Sequence, residues 1–141
     1  MKNSYALITG ASSGIGLEIA KKLAHEGYNL ILTARRTELL ESLAKEITDK
    51  NNVHVDLISK DLSKYEAPKE IYEFCESKQY KVDLLVNNAG YGIKTSFHET
   101  SIEIEEDFIR VLGTSVIMLT KLFIPKMLSN GGGKIMIVSS V

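Results

Sequence analysis

Cysteine is nearly absent. Cys75 is the only one in 141 residues, so no internal disulfide can form, and such usage fits a reducing compartment. An excess of one charge is also missing. The 17 Lys and Arg residues stand against 18 Asp and Glu, for a net charge of −1. Nothing in that balance points to nucleic acid or an anionic membrane surface as a partner. His25, His54 and His98 are scattered and show no metal-ligand spacing. No apolar run reads as long enough to cross a bilayer, and Met1-Lys2-Asn3-Ser4 leads straight into an apolar stretch without a leader pattern. These absences predict a cytoplasmic protein with no metal and no nucleic-acid or membrane partner. Repeats and low-complexity tracts are lacking too. The densest cluster of breakers, Ser129 to Gly133, reads as a loop, so residues 1–141 form one domain. With 44% hydrophobic and 25% charged residues, the composition is that of a soluble globular chain able to bury a core.

What is present is organised around Thr9-Gly10-Ala11-Ser12-Ser13-Gly14-Ile15-Gly16. Tyr5 to Thr9 is an apolar run of strand length. Ile15, Ile19, Ala20, Leu23 and Ala24 then follow at helical spacing, and Gly27 ends the pattern. The glycines therefore sit where a strand turns into a helix. Helix N-terminal N–H groups have no backbone partner and carry the positive end of the dipole, so such a turn accepts phosphate. Glycine suits the tight turn and lets a pyrophosphate approach the backbone.

The same alternation continues along the chain. Strands are expected at 29–33, 53–59, 82–86 and 134–138. Between them, Thr37 caps a helix bearing Leu40, Leu43, Ala44 and Ile47, and a third helix spans 67–78 with Pro68 at its start. Thr100-Ser101-Ile102-Glu103 resembles a capping box that opens one long helix to about Leu128. This βα alternation predicts an α/β fold. It is a Rossmann-like, doubly wound parallel sheet of five strands in the order 3-2-1-4-5, with ligand bound beyond the ends of strands 1 and 4.

Beyond the second strand, where an acid would accept the ribose 2′-hydroxyl of NAD, stand Ala34, Arg35 and Arg36. A guanidinium grips a 2′-phosphate that a carboxylate would repel. The expected cofactor is therefore NADP(H), with Arg35 as the main contact. No Gly-Lys-Ser/Thr follows the glycine loop, which argues against a nucleoside triphosphatase.

The octet, Asn87-Asn88-Ala89-Gly90 after the fourth strand and Ser139-Ser140 after the fifth occur together in this order. In this the chain resembles the short-chain dehydrogenase/reductase family along its whole length. The resemblance implies cofactor contacts from Gly10, Ser12, Ser13, Gly14, Ile15 and Gly16, from Arg35 and Arg36, from Asp61 and Leu62, and from Asn88, Ala89 and Gly90. Asp61 reads equally well as a cap for the following turn. The resemblance also implies that Ser140 bonds the carbonyl of a small-molecule carbonyl or alcohol substrate during hydride transfer.

Two departures matter. Leu112 stands where the family carries an asparagine that helps hold a water and a lysine. It implies either a weakened proton relay or a match displaced by one turn. The family's catalytic Tyr-x-x-x-Lys pair, in which lysine lowers a tyrosine pKa from its usual value of about 10, is also missing. Only Tyr65 has a lysine four places on, Lys69, with Pro68 between them in what reads as a polar loop. The expectation is a truncated reductase, incomplete on its C-terminal side and inactive alone. The alternative is a non-catalytic dinucleotide-binding or dimerisation module. Strand 5 would then be an apolar sheet edge, and the fourth helix is apolar on more than one face. Both point to a homo-oligomer.

Overall fold

The computed structural model describes residues 4–139. Its elements are β1 (Ser4–Thr9), α1 (Gly14–His25), β2 (Asn29–Ala34), α2 (Thr37–Lys50), β3 (Val55–Ser59), α3 (Ala67–Ser77) and β4 (Lys81–Asn87). A 3-10 turn (Phe97–Glu99), α4 (Ile102–Ile109), a π-helical turn (Arg110–Thr114), α5 (Ser115–Ser129) and β5 (Lys134–Ile137) follow. The strands form one five-stranded sheet in the order β3-β2-β1-β4-β5. Every pair is parallel. The expected topology is therefore present.

Strand side chains alternate between the two faces of a sheet, so each apolar strand feeds two cores. On one face, Ala6, Ile8, Leu30, Leu32, Leu84 and Val86 pack under α1 and α2, which contribute Ala20, Leu23, Leu40, Leu43 and Ile47. On the other, Leu7, Ile31 and Leu85 pack under α3 and α5, which contribute Ile71, Cys75, Leu119, Phe123 and Met127. Burial pushes the Cys75 thiol up to about 12, with the Glu76 and Asp56 charges adding to it. It stays protonated and packs as a small apolar group.

Several local expectations are corrected. Thr37 is the first residue of α2, not its cap; Arg36 holds the cap position without a side-chain bond. Ser101 caps α4, its hydroxyl accepting from the Ile104 N–H at 3.4 Å. Thr100 instead bonds the Phe97 carbonyl at 2.8 Å. Lys69 lies in the first turn of α3, where it pairs with Glu73 at 3.5 Å, and Tyr65 is exposed. The long fourth helix is interrupted by the π turn.

The expectation that no run could span a bilayer also fails on length and composition. Ile102–Ser129 is a 28-residue helical run with mean hydropathy of 1.6 in its most apolar window, of which 22% is buried. The run is apolar on two sides. Val111, Ser115, Leu119, Phe123 and Met127 form the side packed against the sheet. Ile102, Ile109, Ile117 and Leu128 are exposed. The core helix of a soluble protein meets the same length and composition criteria.

Candidate functional site

The carboxyl ends of β1, β2 and β4 and the start of α1 enclose a cleft of about 960 Å³. Gly10, Ser12, Ser13, Gly14, Ile15, Arg35, Arg36, Asp61, Leu62, Asn88, Ala89 and Gly90 all line it. Of the expected cofactor contacts, only Gly16 does not. Ser140 lies outside the described residues, and Ser139 lines the cleft with Val116 and Val138.

The glycine loop is seated on the end of β4. A Cβ on Gly16 would fall 2.3 Å from the Asn88 side-chain nitrogen and 2.4 Å from the Gly10 carbonyl oxygen. One on Gly10 would fall 2.8 Å from Ala89 Cα. These two glycines are therefore required by protein packing, beyond any approach of a phosphate. Gly14 differs. It has φ of +58° with open space beside it, so its need is conformational.

Asn88 and Thr9 staple the two strand ends together. The Asn88 amide donates to the carbonyls of Thr9 at 3.0 Å and Gly10 at 3.1 Å. The Thr9 hydroxyl accepts from the backbone N–H groups of Asn88 at 3.0 Å and Ala89 at 2.9 Å. It donates to the Val86 carbonyl at 3.4 Å. The Asn88 amide thus pins the backbone of the glycine loop. Thr9 was missed as a hub, because its partners lie about eighty residues along the chain. The Asn87 amide instead donates to the Thr120 hydroxyl at 3.4 Å, and its backbone carbonyl accepts from the Val138 N–H at 2.9 Å.

The two arginines diverge. The Arg36 guanidinium donates to the Ser12 and Ser13 hydroxyls at 3.4 and 3.3 Å. Ser13, at the α1 cap position, makes no side-chain cap bond of its own, and the first turn of α1 carries no acid. The open helix end, the serine hydroxyls and the guanidinium make a positive mouth at the loop. Arg35 faces Asp61 and Tyr91 electrostatically. Burial pushes the Asp61 carboxyl up. The Ser63 hydrogen bonds and the Arg35 and Lys64 charges outweigh that and hold it below the usual carboxylate range. Asp61 Oδ1 accepts from the Ser63 N–H at 2.9 Å, so the turn-capping role is present.

One polar atom in the cleft wall is an orphan. Thr33 lines the cleft, and its Oγ1 is buried without a hydrogen-bond partner among the described residues. A buried hydroxyl left unpaired costs about 1–3 kcal/mol. A polar ligand in the cleft would offer it a partner. The open helix end, two arginines and this hydroxyl together fit an anionic, polar nucleotide. Leu112 lies in the π turn, half-exposed and lining the cleft, with its Cγ 3.8 Å from where a Gly90 Cβ would stand. It presents an apolar surface where the resemblance expects an amide.

Residues 4–141 match the short chain dehydrogenase family. An uncharacterized oxidoreductase of Staphylococcus saprophyticus is 32% identical over 141 residues, covering 100% of this chain and 60% of the relative. L-sorbose reductase from Gluconobacter frateurii, solved with NADPH and L-sorbose, superposes with a TM-score of 0.91 at 32% identity, covering 100% of this chain and 55% of that one. A short-chain dehydrogenase from Sphingobium yanoikuyae, solved with NADPH, gives a TM-score of 0.91 at 30% identity, covering 98% of this chain and 54% of that one. The chain thus spans little more than half the length of these proteins.

Proposed function

The chain belongs to the short chain dehydrogenase family, and from that premise we propose that it is the NADP(H)-binding portion of a reductase acting on a small carbonyl or alcohol. The observation that carries this reading is the end of β2. It presents Arg35 and Arg36 to the cleft, with Ala34 where an acid would select NAD. Solved relatives with bound NADPH support the same choice. When bound, NADP(H) supplies or accepts the hydride that interconverts carbonyl and alcohol. The chain's own residues bind and orient it. The positive mouth at Ser12, Ser13 and Arg36 receives the pyrophosphate, Arg35 the 2′-phosphate, and Asp61 and Leu62 flank the adenine. Ser140 orients the substrate oxygen.

The test is Arg35→Ala. NADPH affinity should drop about ten-fold or more, a loss of about 1.4 kcal/mol or more, while NADH affinity changes little. Equal losses for the two nucleotides would refute the assignment of Arg35.

A second reading rests on Leu112 and on the missing tyrosine–lysine pair. Tyr65 and Lys69 sit at the exposed start of α3 and do not line the cleft. With no placed proton donor, worth about 10²–10⁴-fold in rate, the 141-residue chain binds nucleotide without turning over substrate. NADPH-dependent carbonyl reduction by the purified chain would overturn this.

Self-association belongs to the same proposal. The exposed stripe Ile102, Ile109, Ile117 and Leu128 and the apolar edge of β5 support it. A single monomeric species in sedimentation velocity would contradict it.

A further inference from the structure

We propose that Tyr91 is a cofactor-contacting residue, and that its ring forms the aromatic wall on which the purine of the nucleotide lies. The inference rests on the dinucleotide reading above and deepens it. Tyr91 leaves the end of β4 directly after Gly90 and lines the cleft together with Arg35 and Asp61. Tyr91 is 41% exposed, so part of its side chain stays open to the cleft. The ring is not loose, however. Phe108 meets it edge-on, with centroids 5.5 Å apart and planes at 78°.

The support behind that contact reaches the opposite wall of the cleft. Arg110, two residues after Phe108 on the same helical run, donates to the Ser63 carbonyl at 3.0 Å and pairs with Asp107 at 3.7 Å. Ser63 in turn closes the Asp61 turn. One helical run thus carries both Phe108, which meets Tyr91, and Arg110, which bonds the Asp61 turn through Ser63. A half-exposed aromatic held in place at a cleft edge is a stacking surface, and nucleobases stack on such rings whatever their hydrogen-bonding edge.

Charge places Tyr91 at the adenosine end. Burial and the Asp107 charge raise its hydroxyl pKa, Arg35 opposes them, and Asp61 and Glu105 add to the rise. Besides Asp107 and Glu105, its charged surroundings thus include Arg35 and Asp61, the groups assigned to the 2′-phosphate and adenine, whereas Val138 and Ser139 follow β5, on the other side of β1 from β2. The rival role, contact with the substrate, would leave binding of the adenosine half untouched.

The chain contains no tryptophan, so Tyr91→Trp introduces a single fluorophore at this site. Titration with 2′,5′-ADP, the adenosine half of NADP(H), should quench its emission saturably. Calorimetry on Tyr91→Ala should show 2′,5′-ADP and NADPH weakened together by about ten-fold. Tyr91→Phe should stay within about two-fold, because the ring and not the hydroxyl does the stacking. Unchanged emission while calorimetry registers 2′,5′-ADP binding would overturn the proposal. So would wild-type affinity in Tyr91→Ala. If the unaltered chain binds neither NADPH nor 2′,5′-ADP, the dinucleotide reading itself fails, and this inference with it.

Discussion

β1 and β5 are both short, apolar and parallel, yet they live in opposite surroundings. In β1, Ala6, Leu7 and Ile8 are fully buried. In β5, Ile135, Met136 and Ile137 are 36%, 44% and 57% exposed. Composition does not separate them; neighbours do. β1 has β2 and β4 on its two sides and helices on both faces. Among the described residues β5 pairs with β4 alone, and Met136 borders an open groove of about 810 Å³ shared with Ile15, Leu17, Ile19 and Leu23 of α1. The other sheet edge, β3, is a useful control. It carries Asp56, whose carboxylate accepts from the Tyr80 hydroxyl at 2.8 Å. It is thus an edge suited to water, whereas β5 presents bare apolar surface.

The lesson is that tight fit lies at the centre of the sheet and tolerance to change at its β5 edge, so substitutions should read that contrast directly. The largest effect is expected at Gly16→Ala. Its Cβ would collide with Asn88 and the Gly10 carbonyl, costing about 1–3 kcal/mol as overpacking and distorting the loop enough to abolish NADPH binding. Urea unfolding and calorimetry check both; an unchanged midpoint would mean that the loop is softer than it looks.

Thr9→Val comes next. It keeps the shape but strands the N–H groups of Asn88 and Ala89, for a loss of about 1–3 kcal/mol in urea unfolding. Thr9→Ser should recover most of it.

A smaller effect concerns pH. The Asp61 pKa is depressed in the folded chain, so its contribution is present above the unfolded carboxylate value of about 4 and fades as pH falls through the folded value. Asp61→Asn should therefore flatten part of the acid limb of the stability curve and leave its shape above neutrality unchanged. An acid limb identical to wild type would remove Asp61 from the account.

The smallest stability change belongs to β5. Met136→Lys should shift stability by no more than about 0.5 kcal/mol while reducing self-association in sedimentation velocity. A large loss of stability there would erase the contrast between the strands.

Much of this was legible in the chain itself. The strand order followed from the alternation of apolar runs and amphipathic helices. The loop from Gly10 to Gly16 stood out as a glycine-rich turn from strand to helix, and the Asn88 segment through its resemblance to the family's Asn-Asn-Ala-Gly element. What stayed hidden depends on partners distant in sequence. Thr9 reads as an ordinary strand residue until its hydroxyl meets Asn88 and Ala89. The orphan Thr33 hydroxyl and the Tyr91–Phe108 contact exist only once β2, β4 and α4 converge. The π turn at Arg110–Thr114 escaped because its hydrogen bonds span one residue more than those of an α-helix, a change too small to alter the apolar pattern. The outer stripe of the Ile102–Ser129 run was visible as apolar sequence, but its exposure was not.

The most direct test of the central claim is a pair of calorimetric titrations of the purified chain with NADPH and NADH under identical buffer and salt. The account predicts saturable binding of both, with NADPH at least about ten-fold tighter through charge-assisted bonds to the 2′-phosphate. Equal affinities, or tighter NADH binding, would contradict it.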